Sequence, residues 1–202
     1  MSPHRKALVR LTVAATAICL SSSAWAHPGH LPTSGFSAGL LHPLTGLDHL
    51  LAMVAVGLFA ATLGRRALWA VPLSFMSLMA LGGILGMTGV PLPFVEFAIA
   101  LSVLVLGAVV VIGGRWPVTM AMMLVGLFAV FHGYAHGAEM PETISAAEYG
   151  LGFMLATGAL HLLGIGLGVL PTRIAGIHGQ RMSQIGGLAI AFAGAGLLLG
   201  VV

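Results

Sequence analysis

The sequence predicts an all-α fold: a polytopic membrane helix bundle with six transmembrane helices behind a cleaved signal peptide. Three observations predict it. Only 6% of the residues are charged and 58% are hydrophobic, with mean hydropathy +1.06. A water-facing domain carries about a quarter charged residues, so this chain could not cover a soluble surface. Apolar segments near the bilayer length of about 20 residues recur between short breaks rich in Gly, Pro and Arg. Finally, every basic residue beyond Arg10 falls in alternate breaks.

Residues 1–26 read as the signal peptide, leaving 27–202 as a single six-helix transmembrane domain. Arg5, Lys6 and Arg10 form a basic start, Leu11 to Leu20 an apolar core, and Ala24-Trp25-Ala26 a small-x-small cleavage site. The apolar run is short for a membrane span. The six spans are expected near 38–63, 67–88, 95–113, 117–138, 146–170 and 184–202. Turn residues mark the breaks: Gly64-Arg65-Arg66, Gly89 to Pro93, Gly113 to Pro117, Met140-Pro141-Glu142, and Pro171 to Ser183. The break at Gly113–Pro117 is the shortest. A secreted mature N-terminus places the loops after spans one, three and five in the cytoplasm. Those loops hold Arg65, Arg66, Arg115, Arg173 and Arg181, which is the distribution of the positive-inside rule. The expected location is a bacterial inner membrane, with the mature N-terminus periplasmic.

The sequence pI near 9.8 does not signal nucleic acid. Loss of Arg5, Lys6 and Arg10 leaves five arginines against five acidic residues. Cys19, the single cysteine, lies in the signal segment, so the mature chain is expected to have no thiol ligand or disulfide. Gly82/Gly86, Gly164/Gly168 and Gly196/Gly200 repeat at four-residue spacing and read as close-packing helix faces. No Gly-rich loop leads into Lys and Ser/Thr, so no nucleotide-driven step and no organic cofactor is expected.

The chemistry lies in two apolar segments. The first carries His42, Asp48 and His49; the second carries His132, His136 and Glu139. Ionisable groups are costly in a bilayer and mark functional positions there. On the expected topology all six lie at the periplasmic side, as do Glu96 and Glu148. His132 and His136 are four apart, on one helical face, where a pair of imidazoles can chelate one ion. Glu139 joins that face if the helix continues through Gly137. His42 and His49 are seven apart, about 10.5 Å on a regular helix, too far to share an ion readily; either Pro43 and Gly46 distort the turn, or His42 lies above Asp48 and His49 as an entry ligand. Asp48 reads either as a ligand or as the acceptor that orients a ligand imidazole through its N–H. Imidazole and carboxylate donors without thiolate suit Ni²⁺ or Co²⁺ and disfavour Cu(I). Neutral imidazole is the ligating form, so binding should weaken below the ordinary His pKa of about 6.5.

Other polar residues admit plainer readings. Glu96, at a membrane edge after Pro91 and Pro93, serves equally as ligand or interface residue. His161 reads equally as a packed core histidine. Phe75 is core or a hydrophobic gate, Met53 is packing or a soft contact, and His178 is a loop residue. His27 and His30 could capture an ion weakly beside a free terminal amine. A proton relay competes with metal binding for the paired motifs.

These motifs give a resemblance. His42, Pro43, Gly46, Asp48 and His49 match His-Pro-x-x-Gly-x-Asp-His. Phe131, His132, Gly133, Ala135, His136, Gly137 and Glu139 match Phe-His-Gly-x-Ala-His-Gly-x-Glu. In both, the chain resembles the HupE/UreJ family, membrane accessory proteins of nickel hydrogenase and urease systems regarded as nickel permeases. The resemblance implies Ni²⁺ import as substrate, whereas spacing alone implies only a divalent metal. The expected metal residues are His42, Asp48, His49, His132, His136, Glu139 and Glu96. The expected partners are the ion, the lipid bilayer, a homo-oligomer, and, indirectly, nickel-enzyme maturation proteins; nucleic acid is not among them. Two other classes stay open. One is a membrane metallochaperone or sensor that binds without transport. The other is an intramembrane metalloenzyme, against which stands the lack of a His-Glu-x-x-His motif and of a separate nucleophile.

Overall fold

Seven helices and no strand make up the described residues, 35–114, 116–140 and 143–201, of this computed structural model. They are α1 (Gly35–Thr45), α2 (Leu47–Leu63), α3 (Ala67–Met87), α4 (Val95–Ile112), α5 (Val118–Glu139), α6 (Ala146–Ala175) and α7 (Ile177–Leu198). The expected signal segment, with His27 and His30, lies outside the described residues, as do Arg115 and Glu142.

The helices α3 to α7 are each long and apolar enough to cross a membrane. The span expected over 38–63 is instead a broken pair, α1 and α2, bent by 81°. The break is at Gly46, whose extended backbone (φ −90°, ψ 120°) interrupts the helix three residues after Pro43. Counting that pair as one span gives six. At the other end, most of the expected loop from Pro171 to Ser183 is helical. The helix α6 runs through Pro171 to Ala175, and Gly176, at φ 53°, is the only residue between it and α7. Its 30 residues are about 45 Å long, well beyond the ~30 Å of hydrocarbon that a span must cross. The short break at Gly113–Pro117 is present. Gly113 and Gly114 have φ of 62° and 96°, and the Trp116 indole N–H donates to the Gly113 carbonyl at 3.0 Å.

The helix α2 is the centre of the bundle. Residues Ala52 to Ala60 are buried without exception, because that helix has no polar face and touches α3, α4, α6 and α7. The closest pairings are α3 with α5, α4 with α7, and α6 with both α1 and α2. Small residues permit them. A Cβ at Gly133 would strike the Met79 carbonyl, and one at Gly82 the Val130 carbonyl, so α3 and α5 meet backbone to backbone. A Cβ at Gly164 would likewise strike Val54 of α2. The third expected pair behaves differently: Gly200 ends the last helix at φ 66°, and α7 packs on α4 through Gly187 and Gly194. Tyr134 ties the α3–α4 loop to α5, its hydroxyl donating to Val90 O (2.7 Å) and accepting from Leu92 N–H (3.1 Å).

Candidate metal centre

The break at Gly46 builds the site. Bending the chain there lets His42, from the last turn of α1, and His49, from the first turn of α2, both face His136 of α5. The His42 and His136 rings are 4.7 Å apart, and the His49 and His136 rings 4.2 Å. The seven-residue separation that would hold His42 and His49 two turns apart on a regular helix no longer applies. Gly46 has a second use. A Cβ there would lie 2.9 Å from Asp48 Oδ1 and 3.2 Å from His49 Nδ1, where the carboxylate and imidazole meet.

Asp48 Oδ1 accepts from the His49 backbone N–H at 2.7 Å and lies 2.8 Å from His49 Nδ1. The first bond satisfies one of the amides left free at a helix start. The second fixes the ring: a carboxylate can only accept, so Nδ1 carries the proton and Nε2 presents its lone pair. That Nε2 is buried with no hydrogen-bond partner. Asp48 thus takes the orienting position found behind metal-bound imidazoles.

His132 is set the same way by a different group. The Ser102 hydroxyl of α4 donates to Ile99 O at 2.6 Å and lies 2.8 Å from His132 Nε2. Its one proton is engaged, so it accepts from Nε2–H, and the lone pair falls on His132 Nδ1. That nitrogen is also buried and unpartnered, and the His132 and His49 rings are 4.7 Å apart. His136 has both nitrogens buried without a partner. Buried polar atoms are nearly always hydrogen-bonded, and such a cluster of free nitrogens requires an explanation. Ligation of a cation supplies one.

At the open edge, His42, His136 and Glu139 place one ligand atom each within 4.8 Å of one another. His42 Nε2 and Glu139 Oε2 are 3.9 Å apart, too long for a hydrogen bond. Two donors at about 2.0–2.2 Å from one small divalent ion lie as far as ~4 Å apart, so slight contraction closes this set on an ion. The Glu139 side chain is 60% exposed and that of His42 38%, whereas His132 and His136 are buried. The group therefore runs from an accessible rim to a buried interior. The wall behind it is α6: Phe153 lies 4.1 Å from the His136 ring, and Tyr149 6.0 Å from that of His42. His136 also borders an apolar cavity of about 290 Å³ lined by Met79, Met87, Met140 and Met154.

Six of the seven residues singled out by sequence gather here. Glu96 does not: it is exposed in the first turn of α4 and in no group of three or more donors among the described residues. Met53 is fully buried core. Phe75 is also fully buried, 5.8 Å from the His132 ring and 5.2 Å from that of His161. Sequence reasoning did not single out Ser102, Tyr149, Phe153 or Thr157. The first three touch the histidines from other helices, and no spacing rule links them. Thr157 carried a signal, since it stands four residues before His161 on one face of α6.

This chain matches the HupE / UreJ protein family over residues 14–197. It is 48% identical over 191 residues to Protein HupE of Rhizobium leguminosarum bv. viciae, covering 95% of this chain and 98% of that protein. The chain belongs to the HupE/UreJ family. HupE/UreJ proteins are membrane accessory proteins of nickel-enzyme systems, and this chain's apolar helices agree with that class. No solved structure matches this HupE/UreJ chain.

Proposed function

We propose that this protein is a permease that imports Ni²⁺, with Co²⁺ as the chemically nearest alternative, from the periplasm to the cytoplasm for maturation of a nickel enzyme. The observation that carries this reading is the group of buried, unpartnered imidazole nitrogens contributed by α2 and α5 and opening to His42 and Glu139. Nitrogen and carboxylate donors without thiolate favour Ni²⁺ or Co²⁺ over Cu(I). His42, His136 and Glu139 take the ion at the rim. His49 and His132 receive it inside, held in ligating form by Asp48 and Ser102. Glu96 stands apart as an exposed carboxylate near the same membrane face.

The arginines support the direction. In a six-span count Arg65, Arg66, Arg115, Arg173 and Arg181 fall on one side, the last two in the helical turns flanking Gly176, and the metal group lies at the opposite end of its helices. A membrane potential negative inside favours cation influx by about 2.3 kcal/mol per charge per 100 mV. The test is accumulation of radioactive nickel in nickel-limited cells. Wild type should accumulate it, and His136→Ala, at equal membrane abundance, should not. Equal accumulation in both would remove the proposed path. Tight nickel binding by the purified protein without accumulation in cells would mean a chaperone or sensor instead.

A further inference from the structure

Along α6, Thr157, His161, Gly164, Gly168 and Thr172 share one face, at spacings of four, three, four and four residues. The first four are buried. His161 is 1% exposed, and neither ring nitrogen has a hydrogen-bond partner; Thr157 is 0% exposed, and its hydroxyl oxygen has none either. A neutral imidazole has one N–H and one lone pair, so a neutral His161 leaves both a donor and an acceptor unmet inside the bundle. An apolar residue of similar size would avoid that penalty.

The position of His161 suggests what meets those atoms. Its ring stands against Phe75 at 5.2 Å, and the Phe75 ring also lies 5.8 Å from that of His132. Phe75 thus neighbours both an imidazole of the metal group and one further imidazole. His161 lies 12 residues beyond Tyr149, which flanks His42, or about 18 Å along α6. Eleven residues further, about 16 Å, Thr172 lines a cavity of about 490 Å³ with Thr62, Gln180, Ser183 and Gln184. That cavity lies at the end of the helices where Arg65, Arg66, Arg173 and Arg181 fall. His161 is thus midway between a nitrogen-rich rim and a chamber lined by neutral oxygen and amide groups.

We propose that His161, with the Thr157 hydroxyl, is an internal station for the divalent metal ion, reached past the Phe75 ring from His132 and emptied toward the Thr172–Gln184 cavity. This rests on the transport reading above. A single imidazole and a hydroxyl hold an ion far more weakly than the four-histidine group, which suits a point of passage. The neutral oxygens of the cavity then offer partial hydration without competing as tight ligands. No proton need be transferred, because the lone pair that ligates is already present on the neutral ring.

The test uses the full-length protein purified and reconstituted in lipid vesicles, with Ni²⁺ supplied outside and influx followed by an enclosed metal-sensitive dye. His161→Leu removes both unmet nitrogens at similar volume. Its melting temperature should equal or exceed that of wild type, its Ni²⁺ half-saturation should be unchanged, and its maximal influx should fall at least tenfold. His161→Gln, which restores a ligating oxygen, should recover part of that rate. Unimpaired influx through His161→Leu alongside active wild type would overturn the internal station alone. A raised half-saturation with the maximal rate kept would also overturn it, by placing His161 in the rim site. Absence of influx through wild type would instead overturn the transport reading, and the station with it. A lowered melting temperature with influx lost in His161→Leu and fully retained in His161→Gln and Thr157→Val would assign the pair a packing role, contrary to the proposal.

Discussion

Replacing Asp48 by Ala removes the acceptor that holds His49. Both short contacts, 2.7 Å to the backbone N–H and 2.8 Å to Nδ1, end on one carboxylate oxygen whose side chain is only 26% exposed. Without it, the His49 ring is free to turn, and its proton can sit on Nε2, the nitrogen that faces the other imidazoles. Loss of such an orienting partner typically weakens metal binding 10- to 100-fold, or about 1.4–2.7 kcal/mol. The assay is equilibrium Ni²⁺ binding by the purified protein in detergent, for wild type, Asp48→Ala, His49→Ala and the double variant. If Asp48 acts through His49, Asp48→Ala should cost almost nothing once His49 is gone. The coupling energy should then equal the full loss of the single variant, within the range seen for residues in direct contact. Additive losses would refute this reasoning, because they would make Asp48 a ligand in its own right.

Ser102→Ala should weaken Ni²⁺ binding about fivefold, from the ~1 kcal/mol of one hydrogen bond, by releasing the His132 tautomer; binding titrations check it. Gly133→Ala should lower the melting temperature, since its Cβ meets the Met79 carbonyl and overpacking costs about 1–3 kcal/mol; an intact melting temperature would contradict the α3–α5 approach. Cysteines at Thr143 and His178, both exposed, should react with membrane-impermeant reagents from opposite sides, with 143 periplasmic.

Much of this architecture was legible because a bilayer imposes length. Continuous apolar runs of span length gave α3, α4 and α5 to within a residue or two, and turn residues marked their ends. The loop between the last two helices was not legible. Pro171 reads as a stop, yet α6 passes through it, so the boundary falls at Gly176, where a positive φ is easily adopted. In the site, Pro43 and Gly46 indicated that the first span could be distorted, but not that the bend would bring His42 and His49 to the same partner. Ser102 was invisible for a different reason. Its importance comes from which hydrogen its hydroxyl has already committed to Ile99, a three-dimensional fact with no trace in spacing. Glu96 shows the converse: a carboxylate expected at the same membrane face is exposed in the first turn of α4 and lies in no group of three or more donors among the described residues.

The central proposal is that imidazoles brought together from α1, α2 and α5 take up the divalent ion, at the rim and then inside. Nickel K-edge X-ray absorption on the Ni²⁺-loaded protein addresses it directly. The account predicts a first shell of nitrogen and oxygen with the outer-shell scattering of several imidazole rings, and fewer rings in His136→Ala. A shell containing sulfur from the methionines around the neighbouring cavity, or a spectrum unchanged by His136→Ala, would contradict it.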